Sequence, residues 1–148
     1  MTLVPRIRVL AVAVCVARGR VLVERGHERT TGRHFYRAIG GGIELGERAT
    51  EALAREWREE YDLTLADVRV LGVVENLFTY EGRPGHEIVF VHVARVVEPW
   101  VHERDAFETT EADGLRHEAV WVPLAELEAG DVPLYPEGIL DMLGESSP

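Results

Sequence analysis

The stretch from Gly41 to Leu63 reads GGIELGERATEALAREWREEYDL, and it decides how the rest of the chain is interpreted. From about Arg48 to Tyr61 similar residues recur at spacings of three and four, which predicts an α-helix. An amphipathic helix that only packs on a core keeps its inner face apolar. Here that face begins apolar and then turns acidic, through Ala49, Ala52, Leu53, Glu56, Glu59, Glu60 and Leu63. We therefore expect the helix to face inward, with its carboxylates either in a metal site or on a solvated acidic face.

The acidic end of this stripe is unfavourable for folding alone. Glu56 has like charges three and four positions later, and the cluster lies near the helix C-terminus, where the helix dipole disfavours negative charge. A bound cation would resolve the conflict, and carboxylate oxygens suit Mg²⁺ or Mn²⁺ better than Zn²⁺. The spacing is also compatible with a solvated acidic face, so on spacing alone both interpretations stay open.

The same stretch resembles the Nudix box, G-x5-E-x7-R-E-U-x-E-E-x-G-U, in which U is a bulky apolar residue. The fixed positions are matched by Gly41, Glu47, Arg55, Glu56, Trp57, Glu59, Glu60 and Leu63. Asp62 replaces the last glycine of the box. We expect Asp62 to end the helix with positive φ, which Asp tolerates better than most residues. The flanking segments 35–42 and 118–124 also resemble the strands around the box in that family.

The resemblance implies an α/β fold of the Nudix type, which is an α/β/α sandwich with a central mixed β-sheet. We expect residues 1–148 to form a single domain. The resemblance also implies a hydrolase that acts on acid anhydrides in phosphorus-containing compounds and depends on Mg²⁺, with Mn²⁺ as a possible substitute. Its substrate would be a nucleoside triphosphate or a nucleoside diphosphate linked to another group, cleaved by attack of a metal-activated water on phosphorus.

The resemblance assigns roles to individual residues of the box. Glu56, Glu59 and Glu60 would hold the metal together with the backbone of Gly41. Arg55 and Glu47 would form a pair that orients the carboxylates. The base that accepts the proton of the water is left open between Glu56 and a carboxylate of a later loop. The candidates in that loop are Glu108, Glu111, Asp113 and Glu118, of which we choose Glu111.

Substrate contacts are predicted outside the box from residue type and position. Arg25 and Arg37 lie at strand ends beside the box and could contact phosphate. Tyr36 and Phe78 could stack on a base. The alternatives are a surface role for each arginine and a core role for each aromatic residue, because aromatic residues that alternate in strands commonly pack in the core.

The rest of the chain predicts a mixed sheet with a few short helices. Strands are predicted at about 6–17, 21–23, 35–39, 68–80, 87–97 and 119–122. Polar loops are predicted at 26–33 and 99–116, and short helices at 123–129 and 136–143.

Composition limits the compartment and the partners. The formal net charge is −10, which disfavours naked nucleic acid but permits a polyphosphate if a divalent cation stands between them. The apolar run from Val9 to Val16 is far shorter than the ~20 residues of a membrane span. Cys15 lies in this run and is predicted to be buried. We expect a cytoplasmic protein, monomeric or homodimeric, that binds a nucleotide-like small molecule.

Two alternative functions remain for this fold. An enzyme similar to isopentenyl-diphosphate isomerase would use a cysteine, and Cys15 lies in an early apolar strand. A non-catalytic Nudix-like nucleotide sensor would tend to lose carboxylates of the box, and this chain retains all four.

Overall fold

The computed structural model describes residues 5–110 and 116–146. In that part of the chain the strands are β1 Arg8–Ala17, β2 Arg20–His27, β3 His34–Arg37, β4 Ile39–Gly42, β5 Leu65–Tyr80, β6 Arg83–Val96, β7 Ala106–Thr110, β8 Arg116–Pro123 and β9 Leu134–Tyr135. The helices are α1 Ala49–Tyr61, α2 Leu124–Ala129 and α3 Ile139–Ser146, and Pro99–Glu103 forms a 3₁₀ turn. Helix α1 is the element that carries the carboxylates of the box.

Strand β1 lies at the centre of a mixed sheet. It pairs in parallel with β6, from Arg8 opposite Glu87 to Val14 opposite Val93. It also pairs antiparallel with β4 and, further along, with β2. The strand order is β5–β6–β1–β2–β3–β9, with β8 paired to β2 and β7 paired to β8. The predicted mixed sheet is confirmed.

Side chains of β1 alternate between two cores, because successive residues of a strand point to opposite faces. Ala13 and Cys15 belong to the core cluster that contains the buried residues of α1. Val12 and Val14 belong to a second cluster, to which α2 and α3 contribute buried residues. The sheet is therefore covered on both faces, and the expected α/β/α sandwich is confirmed. Cys15 is 2% exposed, which confirms its predicted burial.

Helix α1 is held on the sheet by Trp57. The indole ring is fully buried, and its Nε1–H donates to the carbonyl oxygen of Ile39 in β4 at 3.1 Å. The other buried residues of α1 are Ala52, Leu53 and Tyr61. The buried stripe thus continues through Trp57 and Tyr61, which corrects the expectation that the carboxylates continue it. The large aromatic side chains remove more apolar surface from water, so they occupy the core and the carboxylates lie beside it.

The end of α1 has the predicted left-handed geometry. Asp62 has φ 56° and ψ 41°. Its N–H donates to the carbonyl oxygen of Arg58 at 3.0 Å, and the next N–H, of Leu63, donates to that of Trp57 at 3.3 Å. These bonds satisfy carbonyls that an open helix end would leave unpaired. The box therefore retains its turn although glycine is replaced by Asp62.

The structure differs from the predicted elements in three places. The single strand predicted at 35–39 is divided into β3, which pairs with β2, and β4, which pairs with β1, because the chain passes between two parts of the sheet at Ala38. The predicted loop 99–116 contains the 3₁₀ turn and β7, whose Val101 and Phe107 are buried. Strand β9 was not predicted, since two residues carry no periodicity.

No helix in the described ranges is long and apolar enough to cross a bilayer.

Candidate active site

Arg55 is the centre of the polar contacts around α1. Its Nε and Nη2 atoms donate to the two carboxylate oxygens of Glu47 at 2.8 and 2.9 Å. Nη2 also donates to the carbonyl oxygen of Gly42 at 3.0 Å. Nη1 donates to Glu56 at 2.9 Å and to Glu59 at 3.3 Å. All five N–H groups of the guanidinium can therefore be used, and the predicted Arg55–Glu47 pair is present in the structure.

Arg55 also reduces the charge conflict in the helix. Its hydrogen bonds, with one from the backbone of Glu44, lower the pKa of Glu47 to about 2. It lies between Glu56 and Glu59, so part of the positive charge that these carboxylates require comes from the protein itself. A metal ion would supplement this cation, because one guanidinium carries a single positive charge and hydrogen-bonds to three carboxylates.

Gly41 gives the Glu56 carboxylate room to lie against the backbone of β4. A Cβ built on Gly41 would lie 2.3 Å from the Cδ atom of Glu56, much closer than nonbonded carbon atoms approach. The preceding Gly40 is equally constrained, since its Cβ would lie 2.0 Å from the carbonyl oxygen of Ala11. Gly41 therefore permits close packing of β4 against α1, and Gly40 permits it against β1.

A cavity of about 890 Å³ opens beside this contact. Gly41, Glu56 and Glu60 contribute to its wall, so two carboxylates one helical turn apart face the same space. The wall also contains Arg37 and Phe78, two of the predicted substrate residues. The structure thus brings the acidic end of α1, a cation and an aromatic ring to one cavity.

Other predicted site residues lie outside this wall. Glu59 is 59% exposed and bonds to Arg55. Arg25 is 56% exposed, with its Nε atom 3.2 Å from a carboxylate oxygen of Glu118. Tyr36 packs against the core cluster that α2 and α3 share. Glu111 lies outside the described residues. The roles assigned to these four residues, like the roles of the residues that line the wall, stay predictions.

Glu24 is a residue of the cavity wall that sequence reasoning missed. It follows Val21, Leu22 and Val23 in β2 and is 3% exposed. Burial alone would raise the pKa of Glu24, but the nearby Arg37, with hydrogen bonds from Tyr61 and His117, holds that pKa below its ordinary value. A carboxylate that continues a buried apolar strand was the available signal, because such residues are rarely buried without a partner.

The donor atoms of the wall fit a hard divalent cation. Glu56 and Glu60 provide carboxylate oxygens to one space, and the absent Cβ of Gly41 keeps that space open beside Glu56. Oxygen ligands of this kind suit Mg²⁺ or Mn²⁺. Within residues 5–110 and 116–146 no three His, Cys, Asp or Glu side chains already converge as a metal cluster. Glu59 does not line the wall, so its side chain would have to move to bind a metal ion in this cavity.

Comparison with known proteins agrees with this geometry. A family model described as the NUDIX domain matches residues 4–141. The chain belongs to the Nudix family. The resemblance drawn from the residues of the Nudix box is confirmed.

Individual relatives match different parts of this Nudix domain. A protein named RNA pyrophosphohydrolase from Serratia proteamaculans is 35% identical over 72 residues, which are 49% of this chain and 39% of that relative. The chain therefore aligns with about two-fifths of the length of this curated relative. A crystal structure of a MutT NUDIX hydrolase from Burkholderia pseudomallei has a TM-score of 0.61 and 25% identity, over 93% of this chain and 97% of the other. A structure titled ADP compounds hydrolase has a TM-score of 0.64 and 21% identity, over 95% and 73%. That last likeness shows the fold.

The Gly41 contact gives a prediction for the Nudix box. Gly41→Ala should lower turnover by about a hundredfold, because the new methyl group must displace the Glu56 carboxylate by roughly an ångström. Gly144→Ala is the matched control, since a Cβ there meets no atom within 4 Å and should leave turnover unchanged. The measurement is phosphate release from a nucleotide substrate with Mg²⁺. Wild-type turnover in Gly41→Ala would show that the close contact is not required.

Proposed function

We propose that this protein is a Mg²⁺-dependent pyrophosphohydrolase that cleaves a diphosphate bond in a nucleoside triphosphate or in a nucleoside diphosphate linked to another group. The observation that carries the proposal is the cavity beside α1, into which Glu56 and Glu60 of the Nudix box both face. Its volume of about 890 Å³ lies in the range of small-molecule sites. The names of two relatives, a pyrophosphohydrolase and a MutT NUDIX hydrolase, support the same reaction class.

Each residue of the site would have a separate role in the reaction. Glu56 and Glu60 would hold Mg²⁺, with Gly41 leaving room beside them. When bound, this ion would neutralise charge that develops on the phosphate and lower the pKa of a water molecule. Arg55, fixed by Glu47, keeps the Glu56 carboxylate in place through its 2.9 Å hydrogen bond.

We assign the role of general base, the group that accepts the proton of the water, to a carboxylate. Glu56 and Glu111 are both retained as candidates. Glu118 does not line the cavity, and its carboxylate lies 3.2 Å from Arg25. Glu108 of β7 also lies outside the wall, 3.9 Å from Arg116. Because neither carboxylate lines the cavity that contains Glu56, both are less suited to accept a proton there.

The burial of Cys15 disfavours an isomerase reaction that depends on a cysteine. Its thiol is 2% exposed, and burial raises its pKa to about 12. A buried thiol with so high a pKa remains protonated and cannot reach a substrate in the cavity. We therefore keep the hydrolase proposal over the isomerase-like alternative.

A triphosphate-bearing RNA end is a second candidate substrate, because the matched relative is named for RNA. The net charge of −10 opposes contact with an extended nucleic acid. We therefore propose a free nucleotide as the substrate, in a cytoplasmic enzyme that is a monomer or homodimer.

A substrate panel tests the proposal. Nucleoside triphosphates, ADP-ribose and a 5′-triphosphorylated oligonucleotide are incubated with Mg²⁺, and released phosphate products are measured. We expect hydrolysis of at least one free nucleotide, its loss in EDTA, and its recovery with Mg²⁺ or Mn²⁺ but poorly with Zn²⁺. Tight nucleotide binding with no turnover would instead identify a sensor, and undiminished turnover in EDTA would exclude the metal.

A further inference from the structure

A buried carboxylate in the cavity wall joins four elements of the fold. Glu24 of β2 accepts two hydrogen bonds from Arg37 of β3, both at its Oε1 atom. The Nε atom of Arg37 lies 3.0 Å from this oxygen, and Nη2 also donates to it. The Nδ1 atom of His117 in β8 lies 2.9 Å from the same oxygen. The hydroxyl group of Tyr61 in α1 donates to Oε2 at 2.7 Å. One side chain therefore connects the end of the box helix to three strands.

Stability alone does not explain this arrangement. Removing a carboxylate and a guanidinium from water is costly, and well-packed apolar residues often hold a fold equally well. Leu22, which shares a face of β2 with Glu24, is fully buried, so this side of the strand accepts an apolar residue. The charged pair at Glu24 and Arg37 is therefore better explained by a task that needs the charge of Arg37.

Arg37 is exposed in the cavity, where it can bind a ligand. It lies in the wall of the cavity that contains Glu56 and Glu60, and its side chain is 49% exposed. The bonds to Glu24 use Nε and one Nη nitrogen, so the planar guanidinium keeps a fixed orientation and retains further N–H donors. Oriented guanidinium groups are well suited to phosphate oxygens.

We propose that Glu24 is a positioning residue that holds Arg37 in the cavity wall as a binding group for a phosphate oxygen of the substrate. This assignment rests on the proposed function, because it takes the ligand to be a nucleoside diphosphate group. Glu24 itself does not touch the substrate. It sets the direction of the Arg37 donors through Oε1, the oxygen that His117 also contacts, whereas Tyr61 donates to Oε2.

Affinity for a nucleotide that cannot be hydrolysed tests this role. The probe is α,β-methylene-ADP with Mg²⁺, and its Kd is measured by calorimetry on the full chain. We expect Arg37→Ala to weaken binding by about tenfold or more, the loss of a charge-assisted contact. Glu24→Gln should weaken binding by roughly threefold to tenfold, because the neutral amide orients Arg37 less firmly. Arg37→Lys should recover part of the affinity, since it restores the charge but not the planar group.

Tyr61→Phe is the matched control for Glu24→Gln. It removes a hydrogen bond from the same carboxylate but leaves the bonds to Arg37, so we expect a lower melting temperature with Kd within about twofold of wild type. If Glu24→Gln does not fold, Glu24→Asp keeps the charge, withdraws the carboxylate by one methylene group and should still weaken binding.

The possible failures can be told apart. Glu24 variants that bind like wild type, while Arg37→Ala binds weakly, would overturn the positioning role and leave the proposed function standing. An equal loss of affinity in Glu24→Gln and Tyr61→Phe would assign Glu24 to the fold alone. Wild-type protein that neither binds methylene-ADP nor hydrolyses any nucleotide of the substrate panel would overturn the proposed function, and the positioning role with it.

Discussion

Replacing Glu60 by glutamine is expected to lower turnover by about a thousandfold while the protein remains folded. Glutamine has nearly the shape of glutamate but no charge, so it is a weaker ligand for Mg²⁺. Glu60 lies in the cavity wall with Glu56, so the loss falls on the proposed metal site. Turnover is measured with the nucleotide that the substrate panel identifies.

Thermal melts separate this role of Glu60 from a structural one. Without metal, Glu60→Gln should melt close to wild type, because relief of repulsion from Glu56 and loss of attraction to Arg37 act in opposite directions. Millimolar Mg²⁺ should stabilise the wild type by mass action and the variant less. A variant that melts much lower without metal and responds fully to Mg²⁺ would make Glu60 a structural residue, and normal turnover would remove it from the site.

Glu56→Gln is expected to have a similarly large effect, and Glu59→Gln a much smaller one. Glu56 is 17% exposed, faces the cavity and rests against Gly41, whereas Glu59 is 59% exposed outside the cavity wall. We expect turnover to fall by about a thousandfold in Glu56→Gln and by about tenfold in Glu59→Gln. In both variants the amide oxygen can still accept from Arg55, so stability should be retained.

The comparison of Glu56 with Glu59 tests the geometry as well as the chemistry. Both carboxylates lie in the box and both bond to Arg55. Equal losses in the two glutamine variants would show that Glu59 moves into the cavity when metal binds. A loss confined to Glu59→Gln would mean that the cavity does not contain the reacting groups.

The box positions were predictable because each is tied to a definite local geometry. The fixed pattern gave the helix, the Arg55–Glu47 pair and the left-handed geometry at Asp62, all of which the structure contains. The depth of each carboxylate was not predictable. Spacings of three and four describe a broad face of a helix, and the sequence did not show that Trp57 would occupy its buried centre.

Arg25 and Arg37, both predicted to contact phosphate, show how strand register limits the prediction of substrate residues from sequence. In the β2–β3 pair, Glu24 is opposite Arg37 and Arg25 is opposite Tyr36. Successive residues of a strand point to opposite faces, so a shift of one position separates the pair that lines the cavity from the pair that does not. Two arginines at strand ends therefore looked equivalent in the sequence, although only Arg37 joins the wall.

The buried network around Glu24 could not be predicted, because its members are distant in the chain. Tyr61 and His117 lie 37 and 93 positions from Glu24. Their meeting depends on the pairing of β8 with β2 and on the packing of α1. The cavity could not be predicted from the sequence for the same reason, because residues of many separate segments form its wall.

Hydrolysis in ¹⁸O-labelled water with Mg²⁺ tests the central claim most directly. The nucleotide that gives the highest turnover is cleaved to completion, and the products are examined by mass spectrometry. Attack of water on phosphorus places one ¹⁸O atom in a phosphate-bearing product, and EDTA abolishes its formation. Label found only in a sugar or alcohol product would show attack on carbon and would contradict the proposed reaction.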